Sequence, residues 1–279
     1  VARTNKQKRK ARRKLPLAER ADRHRLYEAS VQNVEHEVDF IKTTFRKLTG
    51  RQALSFREDF CGTGAAACEW VRQNRLHHAV GVDLDPEVLD WGREHHVAKL
   101  KKGQRKRVQL VEANVLDVRD EPFDAVGAFN FSYWIFTRRA DLLRYFRRVR
   151  NSLADDGIFF LDHYGGSDAM LECREKTRID GFTYVWEQAS YEPISGNYVC
   201  HIHFHFPDGS KLKKAFSYHW RLWTLPEIMD LLNEAGFGDV VVYWETEDDD
   251  GEPSGEFEPV ATGDNDPAFV VYLTARPGA

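Results

Sequence analysis

Gly62 and Gly64, in the run Glu58-Asp-Phe-Cys-Gly-Thr-Gly64, and Asp83, closing Ala79-Val-Gly-Val-Asp83, have the types and spacing for nucleotide chemistry. The first run reads as a strand that turns into a helix, the second as a neighbouring strand ending on a carboxylate. In an open parallel sheet this order builds a ligand crevice at the strands' carboxyl ends. An acid about 20 residues past the turn is then placed on ribose hydroxyls. Glycine lets the turn approach a ligand where a Cβ would collide. A dinucleotide fingerprint is not completed, because Ala65-Ala-Ala67 follows Gly64, and no Gly-Lys-Ser/Thr closes a phosphate loop.

The pattern acid-x-x-Cys-Gly-Thr-Gly, with Glu58 as the acid, resembles the class I S-adenosylmethionine-dependent methyltransferases. The resemblance spans about Tyr27 to the C-terminus. It implies S-adenosylmethionine as cofactor, with Glu58, Phe60, Gly62 and Gly64 wrapping its amino-acid end. Phe60 stands where the family usually has another glycine. Asp83, with Leu84 beside it, is implied on the ribose diol. Asn114 and Val115, in Ala113-Asn-Val-Leu-Asp117, match the stretch that holds adenine, with Asn114 in place of the usual Asp. Asn130, after the fourth strand, is implied near the methionine portion, and Tyr27 near the cofactor. The aromatic run Phe131-Ser-Tyr133-Trp134 would screen a sulfonium from water and attract it by cation–π contact. After the fifth strand, Asp162-His163-Tyr164 brings titratable groups to the same edge. His163 or Tyr164, with Tyr133 as a further candidate, is the natural general base if the acceptor must lose a proton. A neutral amine or a thiolate needs none, so that alignment does most of the work.

The elements that must position these residues are legible from periodicity. Apolar residues from Val31 to Leu48 recur at steps of three and four, an amphipathic helix stopped by Gly50. Strands are predicted at 54–60, 79–83, 108–112, 123–129 and 158–162, with helices at 65–73, 85–100 and 140–153. This alternation predicts an α/β fold, a doubly wound, seven-stranded, mostly parallel sheet. Three segments of period two, 182–191, 198–206 and 212–220, predict a three-stranded antiparallel insertion after strand five, within 165–222. Thr224-Leu-Pro-Glu227 is a helix start with Thr as N-cap. Strands at 239–245 and 268–275 close the sheet, joined by an acidic loop at 247–255.

The insertion is expected to cap the crevice on the substrate side, with Trp186, Trp220, Arg221 and Trp223 binding the acceptor. Aromatic walls with polar edges are usual in small-molecule pockets, and Arg221 would pair with an anionic group. His201, His203 and His205 share the other face of one strand. Without a supporting Cys or acid cluster this reads as a polar sheet face, and no metal is expected.

At 279 residues and 42% hydrophobic composition the chain has ample material for a core. Its apolar runs are too short to span a membrane, and no secretory leader is read. Four cysteines without a paired spacing predict reduced thiols and a cytoplasmic protein. The net charge of −4 hides an asymmetry: the first 26 residues hold eleven Lys and Arg against only Glu19 and Asp22. Residues 1–25 are therefore expected to be a basic, disordered tail, and 26–279 the methyltransferase domain. The favoured reading is methyl transfer to an oxygen or nitrogen of a small molecule, with the oligomeric state left open. Two alternatives stand beside it. One is an RNA methyltransferase that uses the basic tail, less favoured because Asn130-Phe-Ser-Tyr133 resembles the Asn-Pro-Pro-Tyr type signature of base-amine methylation only at its ends. The other is a noncatalytic S-adenosylmethionine-binding module.

Overall fold

The structure, a computed structural model, describes residues 15–118 and 121–278. The chain begins with helices α1 (Leu17–Arg20), α2 (Arg23–Val31) and α3 (Val34–Thr49), the last closed by Gly50 in the left-handed conformation. There follow β1 (Ser55–Asp59), α4 (Ala65–Gln73), β2 (His78–Asp83), α5 (Pro86–His95), α6 (Lys102–Arg105) and β3 (Val108–Glu112). Next are β4 (Phe123–Ala128), α7 (Arg139–Asn151) and β5 (Leu153–Gly165). The remainder is β6 (Cys173–Ile179), β7 (Phe182–Glu192), β8 (Asn197–His205), β9 (Lys211–Arg221), α8 (Leu225–Glu234), β10 (Phe237–Glu247), β11 (Pro253–Val260) and β12 (Phe269–Pro277).

One sheet has the order β3-β2-β1-β4-β5-β12-β10-β11. The first five strands are parallel and β12 runs against β5. The order reverses between β1 and β4, the switch point at which such sheets bind ligands. Alternation along β5 shows how the layers form. Ile158 and Phe160 meet α3 and α4 through Val38, Ile41 and Trp70, whereas Phe159 and Leu161 meet α7 and α8 through Phe146 and Leu231. Arg57 and Asp59, both buried in β1, pair at 2.9 Å, and the Tyr145 hydroxyl donates to Asp59 at 3.0 Å. That triad ties α7 to the central strand. The predicted capping box of α8 is present, with the Thr224 hydroxyl accepting from the Glu227 N–H.

The second sheet is antiparallel, β6-β7-β8-β9. It has four strands where three were expected, and the large sheet has eight where seven were expected. Both extra strands, β6 and β11, lie at sheet edges and are largely exposed. An edge strand needs no alternating apolar pattern, so these two carry none.

The expected tail is corrected over its last part. Residues 1–14 lie outside the described residues, but 17–20 and 23–25 are helical. Asp22 caps α2, accepting from the His24 and Arg25 N–H groups at 3.0 and 3.3 Å, and also accepts from the Trp91 indole at 2.9 Å. The Leu17 and Ala18 N–H groups donate to Asp208 and Ser210 on the β8–β9 turn. Capping and tertiary bonds outweigh the like-charge repulsion that composition alone registers.

Helix α5 packs on the turn after β1 at Gly92, where a Cβ would lie 2.1 Å from the Thr63 carbonyl oxygen. Gly92→Ala should therefore destabilise the protein by about 1–3 kcal/mol through overpacking, despite a gain in helix propensity of about 1 kcal/mol. Urea denaturation reads the change; unaltered or raised stability would show that the close approach is not required.

Candidate active site

Beyond the carboxyl ends of β1 and β4 lies a cavity of about 430 Å³. A second, of about 260 Å³, adjoins it, and Tyr27, Asn130 and Tyr218 line both. The first is framed by the turn after β1. Phe60, Gly62 and Gly64 there have φ of 58°, 52° and 67°. Phe60 thus adopts the left-handed backbone that glycine usually supplies, at a cost of about 1–2 kcal/mol. Its ring packs on Tyr145 and Phe136, at centroid distances of 5.5 and 6.0 Å. The Gly62 N–H donates to one Asp83 carboxylate oxygen at 2.8 Å, and the Asp85 N–H to the other at 3.0 Å. The space beside Gly62 is open, whereas a Cβ on Gly64 would strike Leu110 at 2.4 Å. Gly62 faces the cavity; Gly64 is required by packing behind it.

Helix α2 straps the cavity from above. Glu28 accepts from the Thr63 hydroxyl at 2.6 Å and meets His96 Nε2 at 2.6 Å. On the opposite side Tyr27 packs on Phe216 of β9 at 4.9 Å. The strap thereby joins the Gly62 turn to the antiparallel sheet.

The turn after β4 frames the second cavity. Asn130 and Phe131 both have positive φ, 57° and 55°, and both N–H groups donate to Asp162, at 2.7 and 2.9 Å. Opposite stand Tyr184, Trp186, Tyr218 and Trp220, with Tyr164 beside them and Glu175 at the rim.

Of the residues expected at the cofactor, Tyr27, Glu58, Phe60, Gly62, Asp83 and Asn130 line the first cavity. Leu84 is 62% exposed and does not line it. Asn114 spends its side-chain oxygen on the Leu116 N–H at 2.9 Å, a local turn, and Val115 lies in the core. Neither reaches the cavity. Among the acceptor residues, Trp186 and Trp220 line the second cavity, but Arg221 and Trp223 do not. Arg221 pairs with Glu227 at 3.0 Å and lies 3.7 Å over the Trp223 ring, whose indole donates to the Phe136 carbonyl. The short distance from Trp220 to Arg221 in sequence hides an opposite direction on the strand.

The expected base is also corrected. His163 is fully buried and lines neither cavity; burial pushes its imidazole down to about 3, so it stays neutral. Tyr133, equally buried, donates to the Asp162 carbonyl oxygen at 2.9 Å and lies 3.1 Å from His163 Nδ1. Only Tyr164 of the three reaches a cavity. Burial and the nearby Glu175 push its hydroxyl up to about 12, so it is a protonated donor at neutral pH. His201 and His203, expected on a polar sheet face, are each 6% exposed. His201 bonds Ser217 at 2.9 Å and His203 bonds Glu187 at 2.7 Å, while the Lys214 N–H donates to His203 Nδ1. Among the described residues no group of three or more His, Cys, Asp or Glu is arranged to hold a metal ion.

Sequence reasoning missed Arg23, His24 and Gln32 at the first cavity, together with Phe216 and Ser217 of β9. The first two were absorbed into the basic tail; the Asp22 cap before them was the available signal.

Residues 61–159 match the family model of a methyltransferase domain. A search of curated proteins finds no match. Among solved structures, a S-adenosylmethionine-dependent methyltransferase from Clostridium acetobutylicum ATCC 824 superposes with a TM-score of 0.69 at 16% identity, over 92% of this chain and 98% of that one. The CcbJ methyltransferase of Streptomyces caelestis gives 0.67 at 17%, over 88% and 90%. A sugar N-methyltransferase from Streptoalloteichus sp. ATCC 53650 gives 0.59 at 18%, over 92% and 93%. The chain thus carries a methyltransferase-domain match over residues 61–159 and shares the α/β fold of these methyltransferases.

The residues present suit S-adenosylmethionine, which carries a sulfonium, an α-ammonium and a ribose diol. Glu58 and Asp83 supply acceptors, and Gln32, on the cavity wall, has a buried side-chain oxygen with no partner. Burial raises Glu58 and Glu37 well above the usual carboxylate range, Glu37 to about 8, and Glu58 is raised further by Glu37. A bound cation would relieve both.

Asp83→Ala should weaken S-adenosylmethionine binding by about 1–3 kcal/mol, through loss of charge-assisted hydrogen bonds. Calorimetry showing unchanged affinity in a folded variant would remove Asp83 from the site. Glu37 yields a second expectation. Its carboxyl holds its proton to about pH 8 when folded but only to the usual range when unfolded. Between pH 5 and 8 the ligand-free folded protein therefore binds more protons than the unfolded chain, and its stability falls as pH rises. Glu37→Gln should flatten that fall by on the order of 2 kcal/mol; an unchanged slope in denaturation curves across this range would refute the assignment.

Proposed function

We propose that the protein transfers a methyl group from S-adenosylmethionine to an oxygen or nitrogen of a small molecule held in the 260 Å³ cavity. The observation that carries this reading is the shared wall. Tyr27, Asn130 and Tyr218 border both cavities, so a ligand in one abuts a ligand in the other. Methyl transfer needs that proximity more than it needs a base, because alignment of the reacting atoms supplies most of the rate. Bound at the first cavity, the cofactor supplies an electrophilic methyl group. The protein's own part is to hold the acceptor against Asn130 and exclude water with aromatic walls.

The size of the second cavity favours a small acceptor. RNA finds a basic surface, Arg174, Lys176, Lys211, Lys213 and Lys214, but these line a concavity shared with His201 and His203. Strand alternation puts that concavity on the face of the antiparallel sheet opposite Ile202 and Trp186 of the acceptor cavity. Phosphates bound there would leave a base far from Asn130. A cytoplasmic location accords with four free cysteines. No described helix is long and apolar enough to cross a membrane.

Trp186→Ala should leave S-adenosylmethionine affinity within about threefold and lower turnover on its acceptor by tenfold or more, about 1.4 kcal/mol. Arg221→Ala should leave turnover near that of the unaltered protein, since its guanidinium is engaged outside the cavity. An acceptor screen read by cofactor consumption supplies the assay. Loss of cofactor binding by a folded Trp186→Ala variant would overturn the division between the two cavities.

A further inference from the structure

The second cavity has an unusual chemistry for a site that must bind a polar metabolite. Tyr27, Tyr164, Tyr184, Trp186, Tyr218 and Trp220 all present rings to it. Tyr218 and Trp220 stack at 4.3 Å, and Trp186 stands 6.2 and 6.4 Å from them. Glu175 is the one charged residue among the described residues of its lining, and its charge acts on both Tyr164 and Tyr184. Among the described residues no Lys, Arg or His lines this cavity; Arg221, next in sequence to Trp220, is bound to Glu227 outside it. An anionic acceptor would meet ring faces and a carboxylate, both repulsive. A cation would meet electron-rich aromatic rings on several sides, which attract it.

We infer that this cavity is a cation-binding box whose ligand is the ammonium group of a small amine, and that nitrogen is the atom methylated. The inference rests on the function proposed above and narrows it. The amine must first release a proton to water at the open Glu175 rim to free its lone pair. As the C–N bond then forms the C–S bond breaks, sulfur keeps the electron pair as a thioether, and the positive charge passes from sulfur to nitrogen. A product of a primary or secondary amine can lose a second proton to water; that of a tertiary amine remains a quaternary ammonium. The net charge at the centre is one positive throughout the transfer itself, and the rings that face it stabilise that charge without offering a competing strong nucleophile.

The test compares choline with its neutral isostere 3,3-dimethylbutan-1-ol, and with a carboxylate of like size, 3,3-dimethylbutanoate. Binding is read by tryptophan fluorescence of the full chain saturated with S-adenosylhomocysteine. Choline is expected to bind at least tenfold more tightly than the alcohol, and the carboxylate more weakly than either. Glu175→Gln should reduce the choline-to-alcohol ratio at least threefold while S-adenosylhomocysteine affinity, measured by calorimetry, stays unchanged. Equal binding of choline and the alcohol, preference for the carboxylate, or no binding of choline to the saturated protein would each overturn the cation box. Failure of S-adenosylhomocysteine itself to bind would instead overturn the cofactor site on which the proposed function depends.

Discussion

Two carboxylates hold the crevice open. At the end of β2, Asp83 accepts from the Gly62 N–H of the neighbouring turn; at the end of β5, Asp162 accepts from the Asn130 and Phe131 N–H groups. In both places the captured turn contains residues in the left-handed backbone, and three of these, Phe60, Asn130 and Phe131, are not glycine. Such residues persist only where surrounding structure over-determines them. The acid from the adjacent strand supplies that determination, and its direction follows from the parallel register of the sheet. Without these bonds the two turns would relax and the walls of both cavities would move with them.

The same device sets the electrostatic character of the site. Acids near the strand ends, Glu58, Asp59 and Asp83, line the first cavity, and burial raises Glu58 as it raises Glu37 of α3 and Asp162 of β5, the last to about 7. Carboxyls held back from ionising disfavour further negative charge nearby, and a ligand that brings positive charge favours their ionised form. On the proposed reading, the cofactor's sulfonium and ammonium would do so in the first cavity. The second cavity continues the bias with ring faces and Glu175 in place of buried acids. On the proposed reading a single preference for cations runs across both, by different chemistry on each side of Asn130.

The antiparallel sheet and α2 complete what the parallel sheet cannot. An open α/β sheet leaves its crevice exposed at the strand ends. Here Phe216, Tyr218 and Trp220 of β9 cover it from one side, and α2 covers it from another through Tyr27. The hydrogen bonds of Glu28 to Thr63 and of Asp22 to Trp91 fix α2 to the parallel sheet, and contact with Phe216 fixes it to the cover.

Sequence alone determined the parallel core, the helices over it, and the Gly62 and Asp83 edge, because these rest on local signals. Buried strands read as short apolar runs, helices as periodic stripes, and turns as glycine and capping residues. It identified Phe60 as a departure from the usual glycine; the backbone showed that the turn conformation is nevertheless kept, through packing on Tyr145 and Phe136. What only the tertiary structure decided was direction and depth. His163 follows Asp162 by one residue, and the pleat turns it from the crevice into the core. Arg221 follows Trp220, and the same alternation takes it out of the second cavity to Glu227. Edge strands β6 and β11 carry no pattern because water, not a core, covers them. The strap α2 was hidden in a charged segment because its stability lies in contacts with residues such as Thr63, Trp91 and Phe216, which no local window of sequence contains.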